Sequence, residues 1–226
     1  MLHMVYGGSA SGKSSYAESI AMSLQGDGRL LYIATMYPYK WNTTELDPET
    51  MQRIERHRAM RADKGFDTVE CYRHVEHIVA KRQDVLLLEC MSNLLANEMY
   101  LEPDADDGGR PETMSEVEKT GVDGNVGSDV EKTGIGGNAS SDMAETMSPV
   151  SKKIVQALVD LSTRVQDLVI VTNDVFSDGG GLTYDESTRE YVKNLAEINC
   201  ALAREAATVT EIVCGISVKI KGDKQP

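Results

Sequence analysis

Aromatic residues are scarce in this chain, at 5% of the sequence with two Phe and one Trp. Its core is therefore expected to be aliphatic and rich in methionine. No apolar run approaches the length of a membrane span, and Val85–Leu88 has the length of a buried strand instead. No signal peptide is expected either, since Met1–Tyr6 leads straight into a glycine loop, and a cytoplasmic location is expected. Cys71, Cys90, Cys200 and Cys214 form no CxxC pair and have no ligand-like spacing. That pattern argues against a disulfide framework or a zinc site and for reduced thiols in or near the core. A basic stripe is absent too. The net charge is −13, from 36 acidic and 23 basic residues, but residues 101–148 hold twelve of the acids against three of the bases. The remainder is close to balanced, as in an ordinary soluble enzyme, and nucleic acid is excluded as an expected partner.

What is present reads as one α/β domain of 226 residues. Leu2–Tyr6 is a short strand, followed by the loop Gly7–Gly12 and a helix over Lys13–Leu24. Arg29–Ala34 reads as a second strand. Asp47-Pro48 supplies an N-cap and a first-turn proline for a helix to about Arg61, with Met51, Ile54 and Arg58 on one face. Phe66–Cys71 alternates like a strand, and Asp84–Glu89 suits a central parallel one. Helical periodicity follows over Ser151–Arg164 and again through Tyr191, Leu195, Ile198 and Leu202, with the strand Leu168–Thr172 between them. A final strand signal, Glu211–Ile220, breaks at Gly215 into a hairpin. Strands alternating with helices imply a mainly parallel sheet covered on both faces.

One segment stands outside this pattern. Val117–Asp129 is nearly repeated at Val130–Asp142, and neither copy has enough apolar residues to bury a face. Residues 101–148 are read as an acidic, Gly-rich, disordered loop insertion. Its acids match no calcium-loop spacing.

Three groups carry the chemistry. Gly7-Gly8-Ser9-Ala10-Ser11-Gly12-Lys13-Ser14 satisfies G-x-x-x-x-G-K-[ST], with the strand before it and the helix after it that a P-loop requires. The glycines let backbone N–H groups turn inward on phosphate oxygens, and the helix N-terminus adds partial positive charge. Lys13 is expected to reach the β- and γ-phosphates and Ser14 to ligate Mg²⁺. Glu89, closing its strand beside the P-loop, fits either a ligand for Mg²⁺ or its water, or a solvated strand-end carboxylate. His57 lies among Arg53, Arg56, Arg58 and Arg61. Crowded positive charge opposes protonation of an imidazole, leaving it free to act as a nucleophile, and it attracts phosphates; an exposed histidine in a basic patch is the plainer alternative. His3, His74 and His77 have no such constellation in the sequence.

These residues in this order resemble the bifunctional adenosylcobinamide kinase / adenosylcobinamide-phosphate guanylyltransferase family of cobalamin biosynthesis. The matching pieces are Gly7–Glu18, Leu31–Met36, Arg53–Arg61, Thr68–Cys71, Leu86–Met99, Val169–Val175 and Cys214–Gly222. The resemblance implies a P-loop fold related to recombinase-type ATPases and a homotrimer. It also implies two reactions: phosphorylation of the aminopropanol hydroxyl of adenosylcobinamide by ATP or GTP, and transfer of GMP from GTP through a guanylyl-histidine. By the same resemblance that histidine is His57, and the nucleotide-binding positions add Ala34, Thr35, Met36, Arg58, Ala59, Met60, Arg61, Glu70 and Glu89 to the P-loop. The chain departs from the family at Ala10, where Arg is usual, at Phe66 for Trp, at Asp174 for Glu, and in the loop Phe176–Gly179. A kinase of another small alcohol and a nucleotide-sensing interaction module remain the competing readings.

Overall fold

The computed structural model describes residues 1–102, 147–175 and 184–222. The acidic insertion, from 103 to 146, and the loop over 176–183 lie outside the described residues, as do 223–226.

Apolar residues at every position of a strand, rather than every second one, require cover on both faces. Leu30–Ala34 (β2), Val85–Leu88 within Val85–Glu89 (β4) and Leu168–Val171 within Asp167–Asn173 (β5) have this character, and with Leu2–Gly7 (β1) these strands form the middle of one sheet. Phe66–Glu70 (β3) lies at one edge, and Thr208–Val213 (β6) and Ile216–Lys221 (β7) at the other. The order is β3-β2-β4-β5-β1-β6-β7; every pair is parallel except the β6–β7 hairpin. The P-loop strand β1 is therefore separated from the Glu89 strand β4 by β5.

Alternate side chains of the strands feed two layers. Leu31, Ile33, Leu86, Leu88, Leu168 and Ile170 meet Met91–Tyr100 (α3), Pro149–Arg164 (α4) and Glu186–Glu205 (α5) in the larger cluster. Leu30, Tyr32, Leu87, Val169 and Val171 meet Ala17 and Ala21 of Lys13–Leu24 (α1) on the opposite face. The expected α/β class, with a mainly parallel sheet between helices, is the observed one. The core is aliphatic, but it is not methionine-rich: of the described methionines only Met4 and Met91 are core residues. Nor are all thiols in or near the core, since Cys200 and Cys214 are exposed.

Pro48–Arg61 (α2) is capped as its sequence demands, the Asp47 side chain accepting from Thr50 N. It buries only Arg61, so α2 is held less by apolar packing than by what its polar residues touch.

Buried Asp84, at the entry to β4, accepts from Arg29 N at 3.0 Å, Lys81 N at 2.8 Å and Arg29 Nη2 at 2.6 Å. Burial favours its neutral form, but these hydrogen bonds outweigh burial and hold the carboxyl below the usual range. With a native pKa below the unfolded value of about 3.9, its stabilisation is full above about pH 4 and is lost as pH falls through the native value. Asp84→Ala is expected to destabilise by about 2–3 kcal/mol, because buried N–H donors lose their acceptor. Urea denaturation at pH 7 checks this, and a change under about 0.5 kcal/mol would contradict it.

Candidate active site

Parallel strands that stop together leave a crevice beyond their carboxyl ends. Here the register aligns Gly7 with Asn173 and Ala34 with both Glu70 and Glu89. The crevice at this edge is a cavity of about 780 Å³, reaching from the P-loop to α2.

The P-loop takes the conformation its glycines allow. Gly12 precedes α1 at φ 93°, a left-handed backbone that residues with a Cβ rarely adopt. A Cβ on Gly7 would fall 2.6 Å from Ile212 O and 2.8 Å from Ser11 Oγ, so the loop could not close against β6. Ala10 is also left-handed, at φ 55°. Lys13 Nζ donates to Gly8 O at 3.0 Å, and Gly215 N, from the β6–β7 turn, donates to Ser11 O at 2.9 Å. The C-terminal hairpin thus braces the loop. Ser9, Ala10, Lys13 and Ser14 line the cavity, while Gly7, Gly8, Ser11 and Gly12 shape the loop behind them.

Ser14 Oγ donates to Glu89 Oε1, and Tyr32 Oη donates to Glu89 Oε2 at 3.1 Å. Burial and the Glu89 carboxylate push the Tyr32 phenol well above its ordinary value, so it stays protonated as a donor. A hydroxyl beside a carboxylate offers the hard oxygen ligands that Mg²⁺ takes alongside phosphates and water. Ser14 and Glu89 therefore fit that ion, and Glu89 is no free strand-end carboxylate.

Arg61 lies with its guanidinium carbon 3.4 Å from the centroid of the Tyr32 ring. It is buried, and its Nε and Nη1 have no hydrogen-bond partner among the described residues. Arg61 also belongs to the cavity wall, where a guanidinium suits an anionic ligand. Arg58 pairs instead with Glu70, whose other oxygen accepts from Tyr72 Oη at 2.9 Å. This joins α2 to the end of β3. His57 is half-buried and faces the same cavity, flanked there by Arg53, Arg56 and Arg58; no described group hydrogen-bonds its ring.

The structure thus gathers Lys13, Ser14, His57, Arg58, Arg61, Glu70 and Glu89 around one cavity, with Ala34, Met36 and Met60 also in its wall. Ala59 and Thr35 are not in the wall. Thr35 is fully buried: its Oγ1 donates toward Glu89 O at 2.9 Å and Cys90 O at 3.0 Å and accepts from Cys90 N at 2.8 Å. That clasp positions Glu89 from behind. Asn97 Nδ2 in turn donates to Thr35 O at 2.8 Å and to Tyr72 O at 3.0 Å.

Several wall residues escape a reading by motif. Tyr32 is hidden in a strand of apolar residues, and Ser92 meets Asn173 Nδ2 at 2.6 Å across 81 positions. Cys90 also lines the cavity, but burial pushes its thiol up and leaves it a poor nucleophile at neutral pH. The histidines without neighbours in the sequence acquire them by folding. His3 lies 2.9 Å from Asp167 Oδ1 and 3.0 Å from Thr208 Oγ1, near the amino ends of β1, β5 and β6, away from the cavity. His74 groups with Glu76 and Glu98, but Lys153 Nζ, 2.8 Å from Glu98 Oε2, supplies the cation of that cluster. No described helix is long and apolar enough to cross a membrane.

A family model described as cobinamide kinase / cobinamide phosphate guanyltransferase (CobU) matches residues 3–220. The bifunctional adenosylcobalamin biosynthesis protein CobU of Escherichia coli (strain K12) is 27% identical over 226 residues, covering 98% of this chain and 100% of that protein. Its namesake from Salmonella typhimurium (strain LT2) is 27% identical over 227 residues, with the same coverages of 98% and 100%. Among solved structures, the flagellar accessory protein FlaH from Methanocaldococcus jannaschii aligns with 99% of this chain and 81% of its own. Its identity is 13% and its TM-score 0.38, too slight a likeness to bear on function.

Proposed function

The chain belongs to the cobinamide kinase / cobinamide phosphate guanyltransferase family, and from that premise we propose that it runs both reactions with His57 as guanylyl acceptor. In the first, the aminopropanol hydroxyl of adenosylcobinamide attacks the γ-phosphorus of ATP or GTP. The new O–P bond forms as the bond to the β,γ-bridging oxygen breaks, the hydroxyl proton is lost, and a nucleoside diphosphate leaves. In the second, an imidazole nitrogen of His57 attacks the α-phosphorus of GTP, and pyrophosphate departs with the bonding electron pair. A phosphate oxygen of adenosylcobinamide phosphate then displaces the imidazole, giving adenosylcobinamide-GDP and restoring His57.

The observation that carries this reading is that the P-loop, the Ser14–Glu89 pair and His57 all open on one cavity. Lys13 has only to leave Gly8 O to reach a phosphate, and the Arg61 guanidinium in the same wall suits an oxygen of the same polyphosphate. Mg²⁺ held by Ser14 and Glu89 would neutralise charge on the departing pyrophosphate or diphosphate. A neutral imidazole forms a phosphoramidate that stays reactive enough to pass its nucleotide on. We read residues 101–148 as an insertion in this single domain.

Incubation with adenosylcobinamide, GTP and Mg²⁺, followed by chromatography and mass spectrometry, tests the proposal. Adenosylcobinamide phosphate followed by adenosylcobinamide-GDP, with matching release of pyrophosphate, is expected. Nucleotide hydrolysis with no corrinoid product would reject it.

A further inference from the structure

Three large apolar side chains of the cavity wall, and one beside them in the chain, are exposed to solvent. Tyr39, Trp41, Leu46 and Met60 are 37%, 47%, 49% and 51% exposed. Three of them belong to one small arm, residues 37–47. Tyr39 and Leu46 pair there as an antiparallel bridge, Lys40 N donates to Glu45 O at 2.8 Å, and Asp47 N donates to Pro38 O at 2.9 Å. An ion pair of 2.6 Å between Lys40 Nζ and Glu45 Oε1 ties its two strands.

The arm is anchored at both ends. At its base, buried Tyr37 packs against Tyr39 and Tyr72, with ring centroids 5.4 Å apart in each pair. At its tip, the Trp41 ring lies 6.2 Å from that of Tyr100 on α3. Side chains held in place yet left in water mark a surface that something covers. Because Tyr39, Leu46 and Met60 line the same cavity as Lys13 and Glu89, that surface continues the active site.

We propose that this arm is the platform for the macrocycle of the corrinoid substrate, an inference that rests on the function proposed above. The first argument is room: a nucleoside triphosphate takes up much of the 780 Å³, and a corrin ring with its amide arms is too large to share the rest. The ring must stay at the mouth while its hydroxyl arm reaches inward. The second is chemistry. A broad macrocycle face matches aromatic and aliphatic side chains, whereas Lys13, Arg61 and the Ser14–Glu89 pair of the same cavity suit phosphate. A second copy of the chain is the competing occupant.

Steady-state kinetics of Trp41→Ser and Leu46→Ser test the platform. The KM for adenosylcobinamide is expected to rise roughly tenfold in each, equivalent to about 1.4 kcal/mol of lost apolar contact, with kcat within about twofold of wild type. Trp41→Phe, which keeps an aromatic face, is expected to restore most of the affinity, and unchanged thermal unfolding excludes misfolding as the cause. Trp41 is the chain's single tryptophan, so quenching of its emission by adenosylcobinamide, weakened in Leu46→Ser, supports the same conclusion. An unmoved corrinoid KM in an otherwise active enzyme overturns the platform and leaves the proposed function standing. An altered sedimentation profile with an unmoved KM also overturns it, making the arm a contact between copies. A wild type that yields no corrinoid product overturns both.

Discussion

Lys13→Ala is expected to lower kcat/KM for both phosphoryl and guanylyl transfer by about 10²–10³-fold, the loss found when one preorganised cationic donor is removed from developing phosphate charge. The side chain's only hydrogen bond among the described residues goes to Gly8 O, within its own loop. It contributes nothing to either apolar cluster. The variant should therefore unfold at the wild-type temperature, so a lost rate cannot be assigned to a lost fold. Both reactions fail together in this account because both draw their polyphosphate from one P-loop. Loss of one transfer with the other intact would point to a second nucleotide site. A fall of less than about tenfold would mean that Arg61 and the loop amides carry the charge by themselves.

His57→Ala is expected to do what Lys13→Ala does not, and separate the two activities. Guanylyl transfer should fall by about 10³-fold or more, as expected when a covalent nucleophile is deleted. Phosphorylation of adenosylcobinamide should continue, and adenosylcobinamide phosphate should accumulate. His57 has no hydrogen-bonded partner among the described residues and sits on α2, whose one buried residue is Arg61. Its truncation leaves no buried group unsatisfied and little packing to lose. Guanylyl transfer that survives the change would mean that the phosphate acceptor attacks GTP directly. Loss of both reactions would mean that His57 binds nucleotide in both steps rather than attacking in one.

Much of this was legible in the residues themselves. The P-loop spacing and the Asp47-Pro48 cap depend on neighbours within a few positions, and the helices Lys13–Leu24 and Pro48–Arg61 form where those signals place them. The β6–β7 hairpin turns at Gly215 for the same local reason, a left-handed glycine at φ 81°. The helix Met91–Tyr100 was not legible. Its buried Met91, Leu94 and Leu95 have helical spacing, but they follow so closely on Val85–Leu88 that the two periods run together.

Contacts made by folding were the least legible of all. Thr35 lies between the matched residues Ala34 and Met36 and reads as one more nucleotide contact, yet its partners are the Glu89 and Cys90 backbone atoms, 54 and 55 positions away. Tyr32 reads as core, and it is core, but its hydroxyl reaches Glu89 and its ring carries Arg61. His3 is separated from Asp167 by 164 positions and from Thr208 by 205. A single sequence holds no trace of such pairings. Periodicity reports which face a side chain is on; only the register of the sheet decides whom it meets there.

The covalent intermediate is the center of the account, and it has a direct assay. Wild-type protein incubated with GTP and Mg²⁺, without corrinoid, should gain the mass of one GMP, release pyrophosphate, and lose the adduct in mild acid; peptide mapping should place it on His57. An unmodified mass while GTP remains bound, or an adduct on any other residue, would contradict the assignment.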